Sequence, residues 1–247
     1  LAKHRRLIIV SILAYIVFLL AMLPLNLVYQ WVKPTLPVQV VSVSGTLWNA
    51  EVVAKHKLTG QVRVNWQLSA LPLLWGSAQT QLKIESAGVQ ASAIVTASAL
   101  TGELDAQGLN AYVSAGLINQ ALRVNRVTMQ GDVELSNASL GLNVFERQAH
   151  SAQGNLVWVG GNVSYPKGRK SKSANLPMLV AKLTTDNGEL KASVTTAEGL
   201  AVAKAYVKPD GWGGVSVMKR MIDLVGEPWP NKASPDSTIF DVSERLF

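Results

Sequence analysis

The stretch "VVSVSGTLWNAEVV" (Val40 to Val53) reads as two short strands hinged on Gly-Thr-Leu-Trp-Asn-Ala. Apolar and polar residues alternate on each side of Gly45, the period of a half-buried strand. Gly45 supplies the turn, and the large ring of Trp48 fixes the register against the core. A meander of such hairpins is the fold the rest of the chain then has to support or refute.

Support comes from the following segments. "VQVVSVSG", "GQVRVNWQL", "AQTQLKIES", "VQASAIVTA", "GDVELSN", "GNLVWVG", "LVAKLTT", "GELKASVTT" and "AVAKAYVK" all alternate, with Gly, Asn, Asp and Ser between them. Asp186-Asn187-Gly188 is the clearest two-strand turn. The spacing predicts about eight to twelve antiparallel strands. Their polar positions are mostly Ser, Thr, Gln and Asn, so the sheet either curls around an apolar interior or offers a mild polar face to a partner. Gly45, Gly60, Gly102, Gly131, Gly154 and Gly188 each precede an alternating strand. They read as turn glycines or as marks of a stacked hairpin array, the intervals being too uneven for a strict repeat.

Two segments break the alternation. "SAGLINQAL" (Ser114 to Leu122) has helical spacing, with Ser114 placed to cap it. "GVSVMKRMIDLVG" (Gly214 to Gly226) reads as a second helix with a stripe of Val217, Met218, Met221, Ile222 and Val225. Beyond it, "PWPNKASPDSTIFDVSERLF" is Pro- and Ser-rich and reads as an extended tail whose end docks on the domain or on a partner.

Upstream of the hairpin lies "LIIVSILAYIVFLLAML" (Leu7 to Leu23), which carries no charge. Leu7 to Tyr29 makes 23 residues, about 34 Å as a helix and enough for a hydrocarbon core of about 30 Å. Its Leu, Ile, Val and Phe side chains favour insertion by about 4–7 kcal/mol. Pro24 ends or kinks that helix, and Tyr29 and Trp31 fall where an aromatic belt would lie. The run is too long for a cleaved leader and lacks a small-x-small site. "KHRR" before it and Lys33 after it place the N-terminus in the cytoplasm and the main domain across the membrane, which in a Gram-negative cell is the periplasm. The expected organisation is a cytoplasmic stub (1–6), a transmembrane anchor (7–29), a linker (30–37), a β-rich periplasmic domain (38–226) and an extended tail (227–247).

Composition bounds the chemistry. The 247 residues suffice for one large domain or two small ones. Charged residues are only 16%, which suits a membrane-associated protein. The net charge of +7 traces to Lys3, Arg5 and Arg6 and to Lys167, Arg169, Lys170 and Lys172, so no basic face spreads through the fold and nucleic acid is not an expected partner. There are no cysteines, which removes disulfides, thiolate metal sites and cysteine nucleophiles. His4, His56 and His150 have no sequence neighbour at metal-ligand spacing. No G-x-S-x-G, G-x-G-x-x-G or Walker loop is present. Glu103/Asp105 and Asp132/Glu134 share strand faces but follow turn glycines, where exposed charge is ordinary. No enzyme and no cofactor are expected.

The candidate contacts are therefore few. Gly45, Trp48, Trp66 and Trp75 belong to predicted strands and turns, where a Trp either sets register or touches lipid, carbohydrate or a partner. "PKGRKSKS" (Pro166 to Ser173), with Lys167, Arg169, Lys170 and Lys172, is a solvated hairpin loop or a contact for an anionic surface.

"VSVSGTLWNAEV" behind a basic stub and one anchor, together with "LTGQVRVNWQLSALPLLWGSAQTQLKI" (Leu58 to Ile84), resembles the type II secretion system protein N family. The resemblance implies a mainly β fold: an N-terminal transmembrane helix, then an elongated, curved antiparallel meander with one or two short helices. It also implies an inner-membrane accessory or scaffold component supporting export of folded proteins. Its partners would be other secretion components, whether the inner-membrane platform or the outer-membrane secretin, and inner-membrane lipid. A second, fold-level likeness is to AsmA-like membrane proteins with lipid-accommodating grooves.

Overall fold

The computed structural model describes residues 11–12, 15, 22–32, 39–146, 148–229 and 232–245. Most of the expected anchor, the cytoplasmic stub with His4, and residues 33–37 of the expected 30–37 linker lie outside the described residues, as does residue 38. No helix among the described residues is long and apolar enough to cross a membrane. The break expected at Pro24 is present. Pro24 makes a lone bridge to Thr46, and a separate short helix, α1 (Leu25–Val32), follows it.

The quoted stretch forms β1 (Gln39–Gly45) and β2 (Asn49–His56). The meander continues through β3 (Gly60–Ser69), β4 (Ser77–Ser86), β5 (Val89–Ser98) and β6 (Glu103–Val113). Helix α2 (Ala115–Leu122) and the two-residue β7 (Thr128–Met129) interrupt it. It resumes with β8 (Val133–Asn143) and β9 (Gln148–Trp158). The hairpin β10 (Gly161–Lys167) and β11 (Lys170–Leu176) leaves the sheet. Then β12 (Leu179–Asp186), β13 (Glu189–Thr196), β14 (Ala201–Val207) and β15 (Trp212–Met218) return to it. Helix α3 (Lys219–Val225) and β16 (Thr238–Arg245) end the chain.

Thirteen strands make one antiparallel sheet in the order β1-β2-β3-β4-β5-β6-β8-β9-β12-β13-β14-β15-β16, and β11-β10-β7 make a second. The sixteen strands exceed the expected range because β10 and β11 flank a loop that reads only as a charged turn, β7 is two residues long, β15 falls in a segment with helical spacing, and the tail is a strand. The sheet stays open, with β1 and β16 as its edges. Asn187 and Gly188 take positive φ of 51° and 77°, as a two-residue hairpin turn requires.

Register explains the sheet's two faces. Pairing places Val43, Val52, Val64, Ile84, Ala91, Ala111 and Leu135 in one cross-strand row. The row continues through Leu156, Ala181, Val194, Ala203, Val217 and Phe240. One apolar file therefore crosses all thirteen strands. The neighbouring row, Arg63, Glu85, Gln90, Tyr112 and Glu134, faces the other way.

The buried core sits at the C-terminal half. Trp158, Leu176, Leu179 and the fully buried Val202 form it, with Met129, Val163, Met221 and Leu224 packed around them. The second sheet and α3 thus cover the apolar file over the later strands. Trp158 Nε1 donates to Gln130 O (2.9 Å). Asn119 of α2 brackets Met129 through both its amide atoms, which ties β7 into this layer.

Two expectations are corrected. Gly214 to Met218 is strand rather than helix, and α3 begins only at Lys219. Val215 and Val217 are β-branched and alternate, and partners on both sides pair with them. Gly214 also lets the Tyr206 ring lie on the strand, since a Cβ there would come within 2.6 Å of it. The tail, expected to dock by its end on the domain or on a partner, pairs with the domain, β16 completing the sheet beside β15. Gly154 is no turn glycine. It lies inside β9, where an added Cβ would meet Ala138 Cβ at 2.5 Å.

Candidate functional site

Gly45, Trp48 and Trp66 come together at one corner of the sheet. Gly45 has φ of 92°, and an added Cβ would lie 2.3 Å from Asn49 O, so only glycine closes this turn. Trp66 Nε1 donates to Leu47 O (3.0 Å). The Trp48 carbonyl accepts from Leu68 N (2.7 Å), and Leu47 N donates to Leu23 O (3.1 Å). The corner therefore binds three things in one network: the first turn, the third strand, and the residues that end the apolar N-terminal run. Trp48 and Trp66 are half-buried here.

Trp75 sits differently. It closes a short 3-10 turn, Leu71–Trp75, between β3 and β4. Its side chain is 72% exposed, and Leu71 and Leu74 beside it are 71% and 77% exposed. Leu100 and Phe145, on the next two turns at the same end of the sheet, are also exposed. These leucines and Phe145 escape a reading by alternation, because they lie where strands end. The usable signal is "LPLLW", an uncharged apolar run at a position that should be a polar turn.

The basic hairpin lies in the second sheet and is not joined to the Trp corner. Glu227, just after α3, accepts from Lys167, from Lys172 (2.9 Å) and from Tyr165 Oη (2.9 Å). The Lys167 and Lys172 ammonium groups, then the Tyr165 hydroxyl, hold the Glu227 carboxyl down to about 2. Two of the four basic residues thus lock the second sheet to the end of α3, while Arg169 and Lys170 stand exposed at the tip. Glu227 is separated from the hairpin by some sixty positions, and nothing local in the sequence marks it as the partner.

The remaining titratable groups have structural partners. Asp132 caps α2 by accepting from Ala115 N (2.8 Å) and from Tyr112 Oη (2.7 Å). The Ala115 amide and then the Tyr112 hydroxyl lower its pKa. Ser114 occupies the cap position without making a side-chain cap bond. His150, which has no sequence neighbour at metal-ligand spacing, meets an acid from another strand: its Nε2 lies 3.7 Å from Asp105 Oδ1. A register shift between Gly141 and Leu142 turns it there, and a Cβ on Gly141 would collide with both His150 and Ser151. Both members of the pair are well exposed. No group of three His, Cys, Asp or Glu able to hold a metal occurs among the described residues.

Three concavities deserve comparison. A groove of about 390 Å³ with mixed lining runs along Lys83, Glu85, Gln90, Tyr112 and Glu134 and reaches Ile84 and Leu135. An apolar cavity of about 370 Å³ lies at the turn end between Leu142, Val144, Ala149, Leu190, Val207 and Pro209. A third, about 460 Å³, lies over Asn137, Gln153, Lys182 and Thr184.

Searches among curated proteins and among solved structures give no match. The family model for type II secretion system (T2SS), protein N, matches residues 37–221, from just before β1 into α3. With the first hairpin, Trp48, Trp66 and twelve of the sheet's thirteen strands inside that span, the chain belongs to the type II secretion system protein N family.

Proposed function

We propose that this protein serves type II secretion as a non-catalytic scaffold, held in the inner membrane by the apolar run before Pro24 and presenting its sheet in the periplasm. The observation that carries this reading is the family match over residues 37–221, which takes in twelve of the thirteen strands of the large sheet. The geometry supports it in two ways. The first hairpin is bonded directly to Leu23 and Pro24, which suits a domain seated close to its anchor. The sheet also ends in two edge strands, β1 and β16. β16 is exposed along most of its length, and a partner strand can add to such an edge through main-chain hydrogen bonds.

The test is photo-crosslinking in intact cells from Trp48, Trp66, Arg169 and Val242. Recovery of platform or secretin subunits, with reduced export in a deletion strain, is the expected result. Normal export with no secretion component recovered rejects the scaffold reading.

A second reading is favoured by one specific observation, the apolar file. Over β1 to β5 the elements outside the sheet with substantial contact are α1, on β1, and the 3-10 turn beside β4. Val64, Trp66, Leu82, Ile84 and Ala91 are half-buried, and no second layer lies over them among the described residues. Such a face could accommodate acyl chains, as an AsmA-like groove would. Native mass spectrometry of the full chain released from nanodiscs should then retain phospholipid. Release without bound lipid rejects this alternative and leaves the scaffold reading intact.

A further inference from the structure

The β3–β4 and β5–β6 turns set one stretch of the large sheet's end apart from the rest. In an antiparallel meander alternate turns share an end. The β1–β2, β3–β4, β5–β6 and β8–β9 turns therefore lie together, at the end where Leu47 N bonds to Leu23 O. Residues 69–77 and 98–102 on these turns carry no charge, whereas Glu146 follows Phe145 on the β8–β9 turn and the β12–β13 and β14–β15 turns at the same end hold Asp186, Glu189, Lys208 and Asp210.

The exposed side chains form one rim rather than scattered points. Ala99 N donates to Gly76 O, and Val144 N donates to Gly102 O, so the three turns are stitched side by side. Leu100 packs over Gly76 and the Phe145 ring over Gly102. Leu71, Leu74, Trp75, Leu100 and Phe145 are each about two-thirds exposed or more. A contiguous apolar patch of this kind on a folded surface marks an interaction site. Leu and Phe flanked by a Trp are the side chains that enter the boundary between lipid headgroups and acyl chains.

We propose that this rim is a membrane-contact surface: the sheet stands on the bilayer with Leu71, Leu73, Leu74, Trp75, Leu100 and Phe145 inserted at the headgroup boundary. The occupant is lipid because Leu23, the last residue of the apolar run, lies at this same end, bonded to Leu47. A domain tethered there holds the rim within reach of the bilayer surface. The inference rests on the anchor reading and adds to it a second, independent point of attachment, which would fix the orientation of the sheet relative to the membrane.

The chain has no cysteine, so single labels can be introduced cleanly. Full-length Leu74→Cys, Leu100→Cys and Phe145→Cys, with Lys57→Cys as the opposite-end control and Ser11→Cys as the anchor control, are labelled with an environment-sensitive fluorophore. They are reconstituted in phosphatidylethanolamine/phosphatidylglycerol vesicles containing lipids brominated along the acyl chains, and folding is checked by circular dichroism. The three rim labels should lose most of their emission and the Lys57 site should keep it. Rim labels that stay bright while the Ser11 site is quenched overturn the proposal and leave the anchor standing. Bright labels at every site overturn both. Quenched rim labels with a bright Ser11 site support the rim and reject the anchor. Rim emission that follows protein concentration at fixed lipid, or that changes only when a secretion subunit is added, assigns the rim to a second copy or to a partner and overturns the lipid proposal.

Discussion

The two halves of the large sheet share one strand pattern and differ in what lies on it. Over β8, β9 and β12 to β14 the apolar face is covered by β7, β10, β11 and α3, and Trp158, Leu176, Leu179 and Val202 are buried there. From β1 to β5 the same file continues in register, yet only Ala50 and Val53 are buried apolar residues there. Alternation thus builds a sheet in both halves, but a packed core forms only where the chain leaves the sheet and comes back over it. The later half is a conventional two-layer domain. Among the described residues the earlier half keeps an apolar face open, beside the corner where Leu23 bonds to Leu47.

The sharpest way to break this contrast is Trp158→Ala. It removes the largest core side chain together with its hydrogen bond to Gln130 O, and it should cost about 3–5 kcal/mol. Urea unfolding of the full chain in detergent measures it. A loss below about 1 kcal/mol would mean that the later half is not the stability core.

Gly45→Ala comes next. The positive φ and the approach to Asn49 O leave no place for a methyl group, and a left-handed alanine alone costs about 1–2 kcal/mol. The effect should be local. Amide exchange should speed up in β1 and β2 while the strands around Trp158 stay protected. Uniform loss of protection would show that the two halves unfold as one.

Glu227→Gln probes the fastening of the second layer. The wild-type carboxyl is depressed from 4.5 to about 2, so its stabilising contribution is complete above about 4.5 and is lost as pH falls through about 2. The variant should lack that part of the acid dependence and match the wild type's remaining slope. An unchanged acid profile would mean that Lys167, Lys172 and Tyr165 do not hold the hairpin through this carboxylate.

What was legible in the sequence follows the same division. The first hairpin, the Asn187-Gly188 turn, helix α2 and the nine alternating segments depend on local chemistry, and each is where residue spacing places it. The second layer depends on distant pairings. "PKGRKSKS" looks like a charged turn because its partner Glu227 is far along the chain. "GVSVMKRMIDLVG" has helical spacing over all its length, yet strands on both sides capture its first half. The bulge that brings His150 to Asp105 leaves no mark at either residue. "LPLLW" was in plain view as a composition anomaly, but only the meander shows that it joins Leu100 and Phe145 on one rim.

The smallest expected effect is the most informative for function. Leu82 lies on the open half of the apolar face, beside Trp66 and Ala93 in register, and is half-buried. Truncating it removes contacts from one side only, so Leu82→Ala should cost about 1 kcal/mol or less, well under the figure for a covered leucine. A cost approaching that of Trp158→Ala would mean that the early half is packed after all. If the cost is small in detergent but grows when the protein is returned to phospholipid vesicles, the missing layer is lipid, and the open face binds it. If it stays small in both, the face is left free for the strand or side chains of a secretion partner, and the crosslinks from Trp66 should identify it.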